Sequence, residues 1–345
     1  MKRILLIHLD TSSIEAVIAV LLIASVCSCG QTEVSLIPQQ TAIGFVPSDA
    51  ASSRAVVTDV TALKEFYVYG LKNSNTLFNK QQVTKGSDAW TYSPIKYWDT
   101  ASGVTYTFGA VAGVKDATTD FSTLSDVTST ITVYDIPQWQ EVNDDAQDFL
   151  VSNVYSNQPL SVFSGGTVHF NFTHQLAYLQ VKAQKVSTSG GTTDTDTYAI
   201  KEIKLQNGLP TNTKRTFTLQ LTDGAMTWSE AGATGADKEL FPSSSGGSTG
   251  STGSKTLATT PTDITSWLIA PFTCTGTEMV VTYTLNSTPK TSTISLNDQL
   301  QLSGFEGNHK YVITLKVGAT LVNAEVLEIQ NWTTEAEADD PVYNW

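Results

Sequence analysis

The chain has 345 residues with 33 acidic and 20 basic side chains, a formal charge of −13, so it lacks the basic face that nucleic acid or an anionic lipid surface requires. Its three cysteines are Cys27, Cys29 and Cys274, which excludes a disulfide framework or a cysteine-built metal site in the body of the chain. With charged residues at only 15%, the acidity reads as a means of staying soluble at a cell surface, and stability has to come from core burial.

In chain order, the first feature is Ala16–Val26, eleven residues without a charge. That is too short for a membrane-spanning helix, which needs about 20 apolar residues, and it has the length of a signal-peptide core. Lys2 and Arg3 supply the positive start, while Asp10 and Glu15 interrupt the approach and leave a downstream start codon as an alternative. The Val26-Cys27-Ser28-Cys29-Gly30 segment resembles a bacterial lipoprotein cleavage site. Diacylglycerol on Cys29 would make it the first mature residue, and multiple acyl chains hold a protein at a membrane where one is marginal. Cys27 is the competing position; Ser28 is the better small residue before a cut. On this reading residues 1–28 are signal peptide and residues 29–54 a leader ending at Arg54.

Beyond the leader the chain reads as all-β. Short alternating runs of Val, Ile, Tyr, Phe and Thr are separated by Gly, Asn, Asp, Ser and Pro clusters, the pattern of β-sandwiches. Strands are expected at residues 66–70, 104–108 and 130–134, with 144–151 either a short helix or a strand entry. Gln158-Pro159 and Gly165-Gly166 mark a composition change, which divides the chain into a first sandwich at 55–160 and a second at 161–345. Residues 167–182 give the strongest strand signal. Val168, Phe170, Phe172, His174 and Leu176 share one phase, and Leu179, Val181 and Ala183 the other. A period of two cannot change phase without a bulge or twist, so one is expected near residues 175–178. Later strands are expected at 199–205, 216–221, 225–228, 266–270, 278–285, 292–296, 309–317 and 324–332, and a low-complexity loop at 243–254.

The order of several segments resembles the fimbrillins of the Bacteroidetes, the FimA- and Mfa-type pilins and their surface-lipoprotein relatives. They are Cys29, Ile43-Gly44-Phe45-Val46, Ser53-Arg54-Ala55, Pro94–Trp98 leading into Val104–Ala110, Asp145–Leu150, Val168–Ala177, Trp267–Pro271, Gly307–Leu315 and Val326–Trp332. The resemblance implies two tandem transthyretin-like β-sandwich domains. It also implies a precursor whose leader strand, here within residues 41–47, fills a groove in the first sandwich. An arginine-specific protease cuts after the leader, here between Arg54 and Ala55, and a C-terminal segment of another subunit completes the sheet. The implied partners are other fimbrillin subunits, the outer membrane through the lipid anchor, and surface ligands of host or bacterial cells. The chain has three arginines, Arg3, Arg54 and Arg215, and Arg54 sits among Ser, Ala and Asp, a linker composition. The tail after Trp332 is acidic and departs from the pilin pattern. A donor strand would be residues 319–332 or the plug at 342–345, and a tip, accessory or tethered role is an alternative to self-polymerisation.

No catalytic constellation stands out, so the chain is read as a non-enzyme without cofactor or metal. It has no H-E-x-x-H and no Gly-rich strand-to-helix loop. His169 and His174 are five apart and point to opposite faces of a strand; His174 shares its phase with Phe170 and Phe172, as a core histidine would. Asp144, Asp145 and Asp148 match no EF-hand spacing. The second reading of function is a monomeric surface lipoprotein that binds glycan by stacking sugar rings on exposed aromatics, with Trp139 and Tyr97 as the contact residues.

Overall fold

A computed structural model of the chain describes residues 40–48, 63–114, 129–143, 146–186, 195–242, 253–319 and 322–330. Cys29, Arg54, Ala55, Asp144, Asp145, most of the low-complexity loop and the acidic tail lie outside the described residues. Met1–Thr41 and Ala42–Trp345 form separate units, and every element described belongs to the second.

The strands come in chain order. The first nine are β1 (Gly44–Pro47), β2 (Glu65–Lys72), β3 (Asn75–Lys85), β4 (Trp90–Thr91), β5 (Thr105–Ala112), β6 (Thr130–Pro137), β7 (Trp139–Glu141), β8 (Leu150–Ser152) and β9 (Tyr155–Pro159). Two single 3₁₀ turns follow, and then β10 (Thr167–Phe170), β11 (Phe172–His174), β12 (Ala177–Lys185), β13 (Tyr198–Gln206), β14 (Lys214–Gln220), β15 (Met226–Trp228), β16 (Lys238–Phe241) and β17 (Lys255–Thr256). The last are β18 (Thr262–Ile269), β19 (Phe272–Thr273), β20 (Glu278–Leu285), β21 (Thr288–Ser295), β22 (Gly304–Phe305), β23 (His309–Val317) and β24 (Val322–Gln330). The protein is thus all-β, as the alternating pattern requires.

One sheet runs β11-β8-β5-β2-β3-β4 with β9 also on β5. Its central strands are apolar on both faces because each face covers a core. Along β2, Phe66 and Val68 point into one cluster and Tyr67, Tyr69 and Leu71 into another. The β2–β3 hairpin closes on Asn73-Ser74, both with positive φ (46° and 65°), the two-residue turn whose twist suits paired strands and which asparagine enters at low cost. On the Tyr67 side lies the sheet β15-β14-β6, with Val133, Phe149, Phe217 and Leu219 in the shared core. A further core sits between the sheets β24-β23-β12-β18-β7 and β16-β13-β20-β21. Strands from either side of residue 160 pair with one another, β6 with β14 and β7 with β18.

One expectation is corrected. Residues 167–182 are not one bulged strand but three strands in three sheets. β10 pairs with β1, β11 with β8, and β12 with β18 and β23. The phase change at Gln175–Leu176 is therefore a passage from one sheet to the next, and a second break at Asn171 was not expected. Residues 144–151 hold no helix among those described; they enter β8. His174 is 2% exposed and His169 exposed, as their phases dictate. His174 Nδ1 stands 2.6 Å from the Asp148 carboxylate, itself buried. A buried carboxylate needs such a partner, so Asp148 belongs to the interior.

Candidate functional site

The site is built by five residues, Ile43-Gly44-Phe45-Val46-Pro47. Alternation sends Ile43, Phe45 and Pro47 inward and leaves Gly44 and Val46 half-buried. Among the described residues the strand itself pairs with one neighbour only, β10, in a two-stranded sheet, and the residues leading into it reach a second stretch of backbone. On one side β1 runs parallel to β10, in register from Gly44↔Thr167 to Pro47↔Phe170, and Ser48 N donates to the Phe170 carbonyl at 2.8 Å. On the other side Ile43 N donates to the Lys96 carbonyl at 2.9 Å, and Ala42 bridges Tyr97. The Tyr92 hydroxyl closes this side by donating to the Ile43 carbonyl at 2.8 Å. Burial pushes the Tyr92 phenol above its ordinary pKa, so it remains a donor across the neutral range.

Phe45 fills an aromatic box. Its ring centroid lies 5.0 Å from Phe78, 5.4 Å from Tyr92, 5.7 Å from Phe108 and 6.0 Å from Phe170, and the residue is 2% exposed. These are edge and offset contacts, the favoured arrangements for aromatic rings. Gly70 makes the box possible: a Cβ there would stand 2.9 Å from the rings of both Phe108 and Phe78. Beside the box, Trp98 packs 4.6 Å from Tyr106 and 5.0 Å from Phe163. Its indole N–H donates to the Gly166 carbonyl at 2.9 Å, at the start of β10. Trp98→Phe is expected to keep most of this packing and leave that carbonyl without its donor, at about 1–2 kcal/mol, measured as a lower urea midpoint with an unchanged slope.

The two residues offered as glycan contacts are placed apart. Tyr97 is 50% exposed, beside Ile95 at 48%, on the backbone that bridges Ala42. Trp139 is half-buried on β7, with its ring 5.4 Å from Phe272 at the margin of the core between the β12 and β13 sheets. Its ring thus packs against the protein's own core.

The resemblance implied a leader strand within residues 41–47 but gave no sign of the box, whose walls come from β3, β5, β10 and the stretch before Pro94. It also missed Arg215, which is 4% exposed. The Arg215 guanidinium donates to Gln138 Oε1 and the Pro271 carbonyl, each at 3.0 Å, and to the Ser229 carbonyl. Among the described residues no cluster of His, Cys, Asp and Glu has the makings of a metal site. Cys274 is buried, and burial pushes its thiol up to about 12, so it is not a nucleophile at neutral pH.

Comparison with known proteins agrees with this architecture. Residues 53–332 match the family described as fimbrillin-like. No curated protein matches the sequence. Among solved structures, the chain is similar to a fimbrial protein from Bacteroides vulgatus, with 17% identity and a TM-score of 0.58, over 84% of this chain and 99% of that one. It is also similar to a Bacteroides uniformis protein described provisionally as acting in cell adhesion, with 15% identity and a TM-score of 0.52, over 85% and 98% of the two chains. At these identities the likeness is one of fold.

Proposed function

Since the chain belongs to the fimbrillin-like family, we propose that it is a fimbrial subunit or accessory of the cell surface, structural in role, which assembles by exchanging a strand. It is exported and lipid-anchored at Cys29, organised as two tandem sandwiches, and cut between Arg54 and Ala55. The cut frees Ile43–Pro47 to leave, and a segment of another fimbrial subunit takes its place and so supports adhesion. The observation that carries this reading is Phe45, which lies inside a core at 2% exposure although it is delivered by a four-residue strand from upstream of Arg54.

Two physical points support release. Parallel pairing is slightly weaker per residue than antiparallel pairing, and a four-residue strand makes few such bonds. While the chain is intact, β1 is held at the high effective concentration of a tether; cutting turns its binding into a bimolecular event that dilution opposes. An emptied groove would present unpaired β10 backbone beside apolar rings, which is a docking site for an extended segment.

The test is Arg54→Ala in the native cell. The variant is expected to accumulate as a longer, unassembled species. Assembly equal to wild type would remove the cleavage step from this account.

A further inference from the structure

The groove that β1 fills is shaped for one residue pattern, and the chain's own C-terminal segments do not have it. Four rings surround the Phe45 position at 5.0–6.0 Å between centroids. An aliphatic side chain there leaves a void, because core packing is close and the rings are fixed by their own strands. One residue earlier, a Cβ added to Gly44 would stand 3.0 Å from Thr167 Oγ1, so the position between the two inward side chains favours glycine. The groove therefore reads apolar–Gly–Phe, in the direction parallel to β10.

β24 is already committed to β23, antiparallel over nine residue pairs from His309↔Gln330 to Val317↔Val322. Its sequence, VNAEVLEIQ, contains no aromatic residue. Each pair of apolar residues two apart in it encloses Asn323, Glu325 or Glu328, which would set a polar or charged side chain against Thr167. The final residues offer Tyr343 and Trp345 at the right spacing, with Asn344 between them. Trp345 would have to enter a box sized for a phenyl ring, and overpacking costs as underpacking does.

We propose that this groove accepts a donor from a different chain, an extended segment with phenylalanine at the second inward position and glycine before it, and that residues 322–345 of a second copy of this chain do not supply it. The proposal rests on the strand-exchange reading above and adds the identity of the donor.

The experiment uses the full chain with a sequence-specific protease site inserted within residues 49–62, nicked after folding, so that the leader stays bound only by non-covalent contacts. Labelled peptides then compete for the groove. They are residues 40–48, the same peptide with Phe45→Ala, residues 322–332 and residues 337–345. All substitutions lie in the peptides, so the receiving fold is never altered. The leader peptide is expected to enter, and the other three to compete at least 100-fold less well. If the Phe45→Ala peptide competes within 10-fold of the leader, the box is not selective and the proposal falls. If either C-terminal peptide does so, a second copy is a competent donor and the proposal also falls. If even the unaltered leader peptide fails to enter, strand exchange itself is lost and the donor assignment with it.

Discussion

Replacing Phe45 by alanine is expected to destabilise the protein by about 3–5 kcal/mol, the usual loss when a buried phenylalanine is truncated. Its four neighbouring rings belong to β3, β5, β10 and the stretch before Pro94, so the void cannot close without moving several strands at once. Native domains hold only about 5–15 kcal/mol in all, and the loss should appear as a large drop in urea midpoint. Val46→Ala is the control. Val46 lies on the half-buried face opposite exposed His169 and should cost less than about 1 kcal/mol. If the two variants unfolded alike, the strand would be lying on the sandwich and not inside it.

Arg215→Ala is the second large effect expected, roughly 2–5 kcal/mol. The guanidinium holds three crossings together. Gln138 lies where the chain passes from β6 to β7, Pro271 where it passes from β18 to β19, and Ser229 just after β15. Gln138 in turn donates to the Ala270 carbonyl at 2.6 Å. Truncation strands the buried Gln138 Oε1 and takes the donor from the half-buried Pro271 carbonyl, at about 1–3 kcal/mol for each left without a partner. Burial already holds Arg215 below the ordinary arginine pKa; the hydrogen-bond acceptors found for it are neutral. The loss should therefore be nearly the same at 0.1 and 1 M salt, unlike that of a surface ion pair. Arg215→Lys keeps the charge but not the planar fork and should recover less than half. A loss under about 0.5 kcal/mol would mean that this network is incidental.

What the sequence revealed, and what it hid, follows from how far each signal reaches. Period-two patterning is local, so β5, β20 and β23 were legible. Pairing partners are not local. Nothing near Gly44 announces that it will run beside Thr167, or that Ile43 N will reach the Lys96 carbonyl. β3 escaped notice because its sequence, NTLFNKQQVTK, is polar at most positions; it is a strand because β2 templates it, with Lys80 at φ 50° taking up a register shift. At Asn171 and Gln175–Leu176 the chain leaves one sheet for another, which looks from sequence like one long strand with a defect. The phase of His174 was readable, but its partner Asp148 was not, because a carboxylate buried by tertiary contact has the same letter as one in solvent. Arg215 was hidden for the same reason.

The central claim is that Ile43–Pro47 occupies a core from which it is meant to depart. The intact mass of the subunit recovered from assembled surface fimbriae tests this most directly. The account predicts a chain beginning at Ala55, with residues 41–48 absent from the particle and another subunit's segment in their place. Assembled subunits that still carry Phe45 would contradict it.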